Sequence, residues 1–345
     1  MITICILYYL FCFSVKAAYL PICLDALAQS SRMVTLMSIA VNGDGTDPMF
    51  TSWLLALFSI GHYSAQMAAP IFVAQLPVSK GQEQLVFLYY IPVIVVSIVL
   101  CLAYYFVYER MDQSKVNTNV TIAESQSLKA EQTEGLCDRL KMIFKSFFYL
   151  SDPYIFVSLL QIFLSNFLLA ILYSELNIFI REKFKTSRKI ESLIWIGAGP
   201  GFIVATILVQ VFYNYKTPKI IVSHFLLSLA AISIPFWSDW RGIVVSLTSM
   251  MFCMGITQSL LFPLIPDLLW KRFDLRRKDC SETVTNTTTA KIYAPSLSLN
   301  ATGCAYSIGH FVSVYIRIKS LMVIFGSVSA FFTLPLLLLR KYIDR

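Results

Sequence analysis

Long apolar runs are the feature that most constrains the fold of this chain. They recur along the sequence in lengths of about 20 residues or more, and residues 152–180 are one example. A helix of that length can cross a hydrocarbon core of about 30 Å with its backbone hydrogen bonds satisfied internally. Because 57% of the 345 residues are hydrophobic and only 14% are charged, a soluble fold would have more apolar surface than one or two cores can bury. The sequence therefore predicts an all-α polytopic membrane protein.

Ten apolar segments predict ten membrane-spanning helices. The second is the weakest, because Asp25 and Arg32 interrupt it; either these side chains face a bundle interior or the segment is a loop. The first segment starts at Met1 without a basic region, so we favour a span there over a signal peptide. The ten segments are 1–15, 17–41, 49–77, 84–108, 152–180, 190–213, 219–237, 242–270, 292–316 and 320–339.

A polar stretch at residues 109–151 divides the chain into two unequal parts. Residues 1–108 hold four predicted spans and form a partial N-terminal bundle, whereas residues 152–345 hold six and form a C-terminal bundle. The end of the divider, "LCDRLKMIFKSFFYL", has apolar residues at helical spacing opposite basic ones, which indicates either an amphipathic helix on the membrane surface or a solvated linker helix. Placing this loop in the cytosol puts most loop Lys and Arg residues on the cytosolic side, although the basic loop 181–189 lies opposite.

Two nearly identical pentapeptides lie six predicted spans apart. "SIGHY" at residues 59–63 is in the third span, and "SIGHF" at residues 307–311 is in the ninth. A carrier built from two parallel six-helix halves explains this spacing and also the division into four spans and six. On that interpretation, two helices are missing before Met1.

Four stretches carry a resemblance to a transporter family. They are "LSDPYIFVSLLQIFLSNFLLAILYSELNIFIREKF", "SLIWIGAGPGFIVATILVQVF", "MFCMGITQSLLFPLIPDLLWKR" and "CAYSIGHFVSV". They resemble helices seven, eight, ten and eleven of the major facilitator superfamily, and more closely of its vesicular amine transporters, especially the polyamine branch. The resemblance implies a major facilitator fold with about ten of twelve helices present. It also implies a secondary transporter that exchanges an amine or polyamine-like cation for protons across a vesicle or other organelle membrane, with the plasma membrane as the alternative.

The same resemblance implies a helix-seam motif. The stretch "SIGHYSAQMAAPIFVAQL" keeps Gly61 and Pro70 of the family's Gly-rich fifth helix, and His62 follows Gly61. Val73 and Ala74 stand where the family has a glycine pair, which is a departure from its pattern. Gly309 is the matching glycine of the second pentapeptide. Small residues at such a seam let helices approach closely and move against each other.

A transporter of cations needs a negative partner within the membrane, because an unpaired charge there is costly. Glu175 is the best candidate, in a helix that also carries Asn166. Alternatively, Glu175 marks the end of the span and pairs with Arg181 or Lys183.

The family's own acids fall on or near uncharged residues of this chain. In our alignment the acid of helix seven falls on Tyr173, two residues before Glu175, and those of helices ten and eleven fall at or near Gln258 and Asn300. His310 can titrate near neutral pH or simply join two helices by a hydrogen bond. The predicted substrate-binding or proton-coupling residues are Glu175, Asn166, Tyr173, Gln258, Asn300 and His310.

Several other classes of function find no pattern in the sequence. The eight cysteines lack CxxC spacing, and no HExxH or GxSxG motif is present, so we expect no metal, no cofactor and no enzymatic activity. The net charge of +8 resides in loops and does not indicate nucleic-acid binding. The expected partners are a small organic cation, protons and the lipid bilayer. We expect the sequons at Asn119, Asn286 and Asn300 to be unglycosylated. The alternative to a transporter is a truncated or degenerate family member that does not transport.

Overall fold

The part of the chain that can be described is entirely helical. The computed structural model describes residues 151–212, 216–277 and 285–343, together with the single residues 60, 61, 95 and 99. The first four predicted spans and loop residues 109–150 therefore lie outside the described residues, apart from those single positions. In the three described ranges the helices are α1 (Pro153–Phe184), α2 (Arg188–Val211), α3 (Lys216–Ser233), a 3-10 turn (Ile234–Phe236), α4 (Trp240–Arg277), α5 (Thr285–Ser313), α6 (Ile318–Phe331) and α7 (Thr333–Ile343).

Five helical stretches in the described ranges are long and apolar enough to cross a membrane. They coincide with five of the predicted apolar segments, so the prediction of transmembrane helices is confirmed for this part of the chain. The stretches are Pro153–Phe184, Ile190–Val211, Lys216–Phe236, Trp240–Ile265 and Ile318–Leu338.

Helix α5 differs from the predicted span 292–316. It is helical, but it is not among the five stretches above, because Ser, Thr and Asn residues lower its hydropathy. The helices on either side of the gap between the predicted spans 242–270 and 292–316 also extend into it: α4 continues to Arg277 and α5 begins at Thr285. A search for apolar runs does not detect these helix boundaries, because the residues around them are polar.

The packing of α5 nevertheless makes it part of the bundle. It packs against α1 and α4. Two side-chain hydrogen bonds join it to α1, from Asn166 to Thr302 and between Ser174 and His310, and both connect residues 136 positions apart. A constant offset means that α1 and α5 run in the same direction, as they would if each intervening helix reversed the chain.

Helix α1 lies at the centre of the bundle. Its start is set by the Asp-Pro pair, since Asp152 Oδ1 accepts a hydrogen bond from the backbone N–H of Tyr154 (2.9 Å) and Pro153 occupies the first turn. Its end is set by Lys185, which has a left-handed backbone with φ of 52°. Buried side chains surround it on all sides through its middle, and it packs against α4, α5 and α6.

Glycines lie where helix backbones come closest. A Cβ placed on Gly255 of α4 would be 2.8 Å from the carbonyl oxygen of Phe202 in α2. A Cβ on Gly309 of α5 would be 2.7 Å from the Cβ of Ala170 in α1. Gly61, by contrast, is exposed and has no described atom within 4 Å of such a Cβ. The other two residues of the predicted motif, His62 and Pro70, lie outside the described residues.

Candidate functional site

Two amide side chains meet in the apolar interior between α1, α4 and α5. Gln258 Nε2 donates to Asn166 Oδ1 (3.1 Å), and Asn166 Nδ2 is placed to donate to the carbonyl oxygen of Ile162 (2.8 Å) and to Thr302 Oγ1 (3.5 Å). Gln258 and Asn166 are fully buried. We call Asn166, Gln258 and Thr302 the amide cluster. Because buried amides are costly without partners, these bonds favour one arrangement of the three helices.

The amide cluster also retains hydrogen-bonding capacity. Among the described residues, Gln258 Oε1 and Ser298 Oγ are buried and have no hydrogen-bond partner. Ser298 lies one turn before Thr302, and its carbonyl oxygen accepts a hydrogen bond from Thr302 Oγ1 (3.0 Å). Buried polar atoms usually have a partner, so these two oxygens are unused hydrogen-bond acceptors within this layer of the bundle.

Aromatic rings and a histidine form a second group farther along α1. Ser174 Oγ is hydrogen-bonded to His310 Nδ1, and the Tyr306 ring lies 6.2 Å from the His310 ring, centroid to centroid. The Tyr173 ring stacks between Trp195 (4.9 Å) and Tyr306 (6.4 Å). We call Tyr173, Ser174, Trp195, Tyr306 and His310 the aromatic–histidine cluster. It joins α1, α2 and α5.

One face of α5 supplies both clusters. Ser298, Thr302, Tyr306 and His310 are spaced four residues apart, so they form a stripe along the helix that faces α1. Sequence reasoning missed Thr302 and Tyr306, although this regular spacing could have revealed them. It also missed Trp195, for which no local signal exists, because its contact with Tyr173 depends on how α2 packs against α1.

Asn300 does not belong to either cluster. It is exposed, and it precedes Thr302 by two residues, which places it about 200° around the helix. Its role in substrate binding or proton coupling stays a prediction.

Glu175 also lies apart from the rings of the aromatic–histidine cluster. Helix α1 is continuous through Tyr173 and Glu175, so the two side chains point about 200° apart. Glu175 is half-buried and follows Ser174 directly. It forms no ion pair with any residue in the described ranges.

The two alternative partners of Glu175 are engaged elsewhere. Arg181 binds Glu191 with two hydrogen bonds, from Nε to Oε1 (2.9 Å) and from Nη2 to Oε2 (2.8 Å). Lys183 Nζ donates to the carbonyl oxygens of Pro235 (2.9 Å) and Trp237 (2.5 Å). The interpretation in which Glu175 pairs with Arg181 or Lys183 is therefore not what the structure contains.

A further histidine links two peripheral helices. His224 of α3 is fully buried, and its Nε2 is 2.9 Å from Ser329 Oγ of α6. Ser228 donates to the same serine oxygen (2.9 Å). This contact joins α3 to α6.

Neither the described side chains nor sequence comparisons assign a chemistry directly. Within the described ranges, no three His, Cys, Asp or Glu side chains lie close enough together to hold a metal ion. No protein-family model matches the chain, and no curated protein matches it significantly. The resemblance to vesicular amine transporters stays a prediction, and a function must be argued from the two clusters.

Proposed function

We propose that the chain is a secondary transporter of the major facilitator type that exchanges an amine or polyamine-like organic cation for protons. The observation that carries this proposal is the pair of polar clusters enclosed between apolar helices. Polar side chains at membrane depth are costly and commonly line a substrate or ion path. In the proposed architecture residues 152–345 form one six-helix bundle, and the membrane is that of a vesicle or another organelle.

Each cluster has its own role in the proposed substrate binding. In this proposal the substrate ammonium group enters between the stacked rings of Tyr173, Trp195 and Tyr306, because their π faces attract cations once the rings move apart. The amide cluster offers oxygen acceptors for N–H donors farther along the path. Glu175 supplies the negative charge, since it is half-buried one residue from Ser174 and has no partner in the described part of the chain.

The proposed coupling uses groups that hold either a proton or a cation. The Glu175 carboxylate binds the substrate cation or a proton but not both, so release of one accompanies uptake of the other. His310, hydrogen-bonded to Ser174, passes protons between the Glu175 carboxylate and the substrate path through the bundle. Protons then move in the direction opposite to the amine.

Uptake into reconstituted vesicles tests the proposal. Purified protein in acid-inside liposomes should accumulate radiolabelled spermidine or a monoamine, and collapse of the proton gradient should abolish uptake. Asn166→Leu should lower uptake about tenfold, because losing a hydrogen bond in a buried site costs about 1–3 kcal/mol. The control Ser327→Leu changes a polar residue at an exposed position of α6 and should transport normally. Folded wild-type protein without gradient-dependent uptake would contradict the proposal.

A membrane protein of the same architecture that does not transport is the second candidate. The separation of Glu175 from the aromatic rings favours it, because a cation transporter is expected to place its acid against its substrate. Equilibrium binding of a labelled amine without uptake would support this candidate over the first.

A further inference from the structure

Helix α1 carries two buried oxygen atoms that have no hydrogen-bond partner among the described residues. They are Ser158 Oγ and Gln161 Oε1, and both side chains are fully buried. Residues three positions apart on a helix are neighbours on its surface, so these two side chains share one face of α1. Buried polar atoms usually have a partner. Because an amide oxygen can only accept, Gln161 Oε1 is suited to a hydrogen-bond donor or a cation.

The Gln161 side chain reaches a break in a membrane-crossing segment. The apolar stretch Ile318–Leu338 is long enough to cross the membrane as one span, but α6 ends at Phe331 and α7 begins at Thr333. Gln161 Nε2 donates to the carbonyl oxygen of Phe332, the residue between the two helices (3.4 Å). This contact places the Gln161 amide beside the C-terminal end of α6.

The backbone at the break favours a positive charge. Pro335 is the third residue of α7 and has no N–H, so it cannot donate to the carbonyl oxygen of Phe331, four residues earlier. Thr333 Oγ1 donates to the carbonyl oxygen of Ala330 (2.6 Å). The last carbonyl groups of α6 also carry the partial negative charge of a helix C-terminus. The end of α6 is therefore rich in oxygen and partly negative.

We infer that this break binds an alkali-metal cation such as Na⁺. Its ligands are Gln161 Oε1 and Ser158 Oγ from α1, together with backbone carbonyl oxygens at the end of α6. All of these ligands are uncharged, which suits a monovalent ion better than a divalent one that depends on carboxylates. Carbonyl oxygens at the C-terminal ends of broken membrane helices are known ligands of Na⁺. The inference does not depend on the proposed exchange of an amine for protons.

Unfolding of the full chain in detergent tests the cation site. The purified protein should be more stable in NaCl or KCl than in choline chloride at equal ionic strength. At a cation concentration roughly ten times the dissociation constant, the ratio of folded to unfolded protein should rise about elevenfold. Equal stability in all three salts would overturn the inference, because a cation that binds only the folded chain must stabilise it.

Two variants test whether the cation lies at the helix break. The difference in stability between the alkali salt and choline chloride should disappear in Gln161→Leu and shrink in Ser158→Ala. Because each variant is compared with itself in two salts, a general loss of stability does not obscure the result. The control Ser223→Ala removes a buried hydroxyl that bonds to Thr257 Oγ1 (2.9 Å), and it should keep the full difference. An unchanged difference in both test variants would overturn the site.

Wild-type protein provides a readout that does not depend on variant folding. The purified chain should bind radioactive Na⁺, or radioactive Rb⁺ in place of K⁺ if KCl is the stabilising salt, in a scintillation proximity assay. Unlabelled alkali chloride should displace the bound ion, whereas choline chloride should not. Equal displacement by both salts would indicate diffuse ionic attraction and overturn the inference.

Discussion

Replacing Gly255 by alanine should separate α2 from α4, which form the most extensive helix pair in the described bundle. The new Cβ would lie 2.8 Å from the Phe202 carbonyl oxygen and 2.9 Å from the Ala205 Cβ. Neither atom is the end of a flexible side chain, so a helix backbone must shift. Overpacking of this kind costs about 1–3 kcal/mol. The higher helix propensity of alanine offsets up to about 1 kcal/mol of it, so we expect a net loss of about 1 kcal/mol.

Two further variants test which contact causes the loss of stability. Gly326→Ala places its Cβ 2.6 Å from Ile232 Cγ1 and 3.3 Å from the Ser228 carbonyl oxygen, and because its backbone contact is longer than the one at Gly255 its cost should be smaller. Adding Ala205→Gly to Gly255→Ala removes the 2.9 Å contact but leaves the contact with the Phe202 oxygen, and a glycine within α2 costs about 1 kcal/mol itself, so at most part of the stability should return.

The assay is detergent unfolding of the purified protein, followed by tryptophan fluorescence. Equal stability of Gly255→Ala and wild type would refute the close approach of α2 and α4. A larger loss for Gly326→Ala than for Gly255→Ala would refute the assignment of the cost to backbone contact.

Three further predictions follow from single contacts. Gln258→Leu removes a buried interhelical hydrogen bond and should destabilise the bundle by about 1 kcal/mol, measured by the same unfolding assay. Glu191→Gln weakens the bidentate pair with Arg181, and because the arginine side chain is 54% exposed the loss should stay below about 1 kcal/mol and shrink in high salt. Trp195→Phe keeps an aromatic ring against its neighbour but loses the 3.0 Å hydrogen bond to Asn177, so amine uptake should fall less than in Trp195→Leu, as compared by initial rates.

Apolar runs were sufficient to locate the membrane-crossing helices of the described part. The start of α1 was also readable, because the Asp-Pro pair before an apolar run is a local signal for a helix N-terminus. The end of α4 at Arg277 and the start of α5 at Thr285 could not be predicted from the sequence. Polar residues continue inside both helices, and hydropathy responds to composition and not to backbone conformation.

The candidate site was only partly accessible to sequence reasoning. Asn166 was selected as a polar residue in an apolar run, Tyr173 and Gln258 as positions where the family's acids align, and His310 as a titratable residue of the second pentapeptide. Each lies in one of the two clusters. Glu175 was selected as an acid within a span, but it faces another way because α1 is unbroken through Tyr173. Partners such as Trp195 come from other helices, and only the packing brings them together.

The most direct test of the proposed exchange is to measure proton movement when substrate is added. Liposomes that contain the folded protein, an acidic interior and a pH-sensitive dye should lose internal protons when spermidine or a monoamine is added outside, and Glu175→Gln should abolish the response. An unchanged internal pH in wild-type vesicles, under conditions where a control antiporter responds, would contradict proton-coupled transport by this chain.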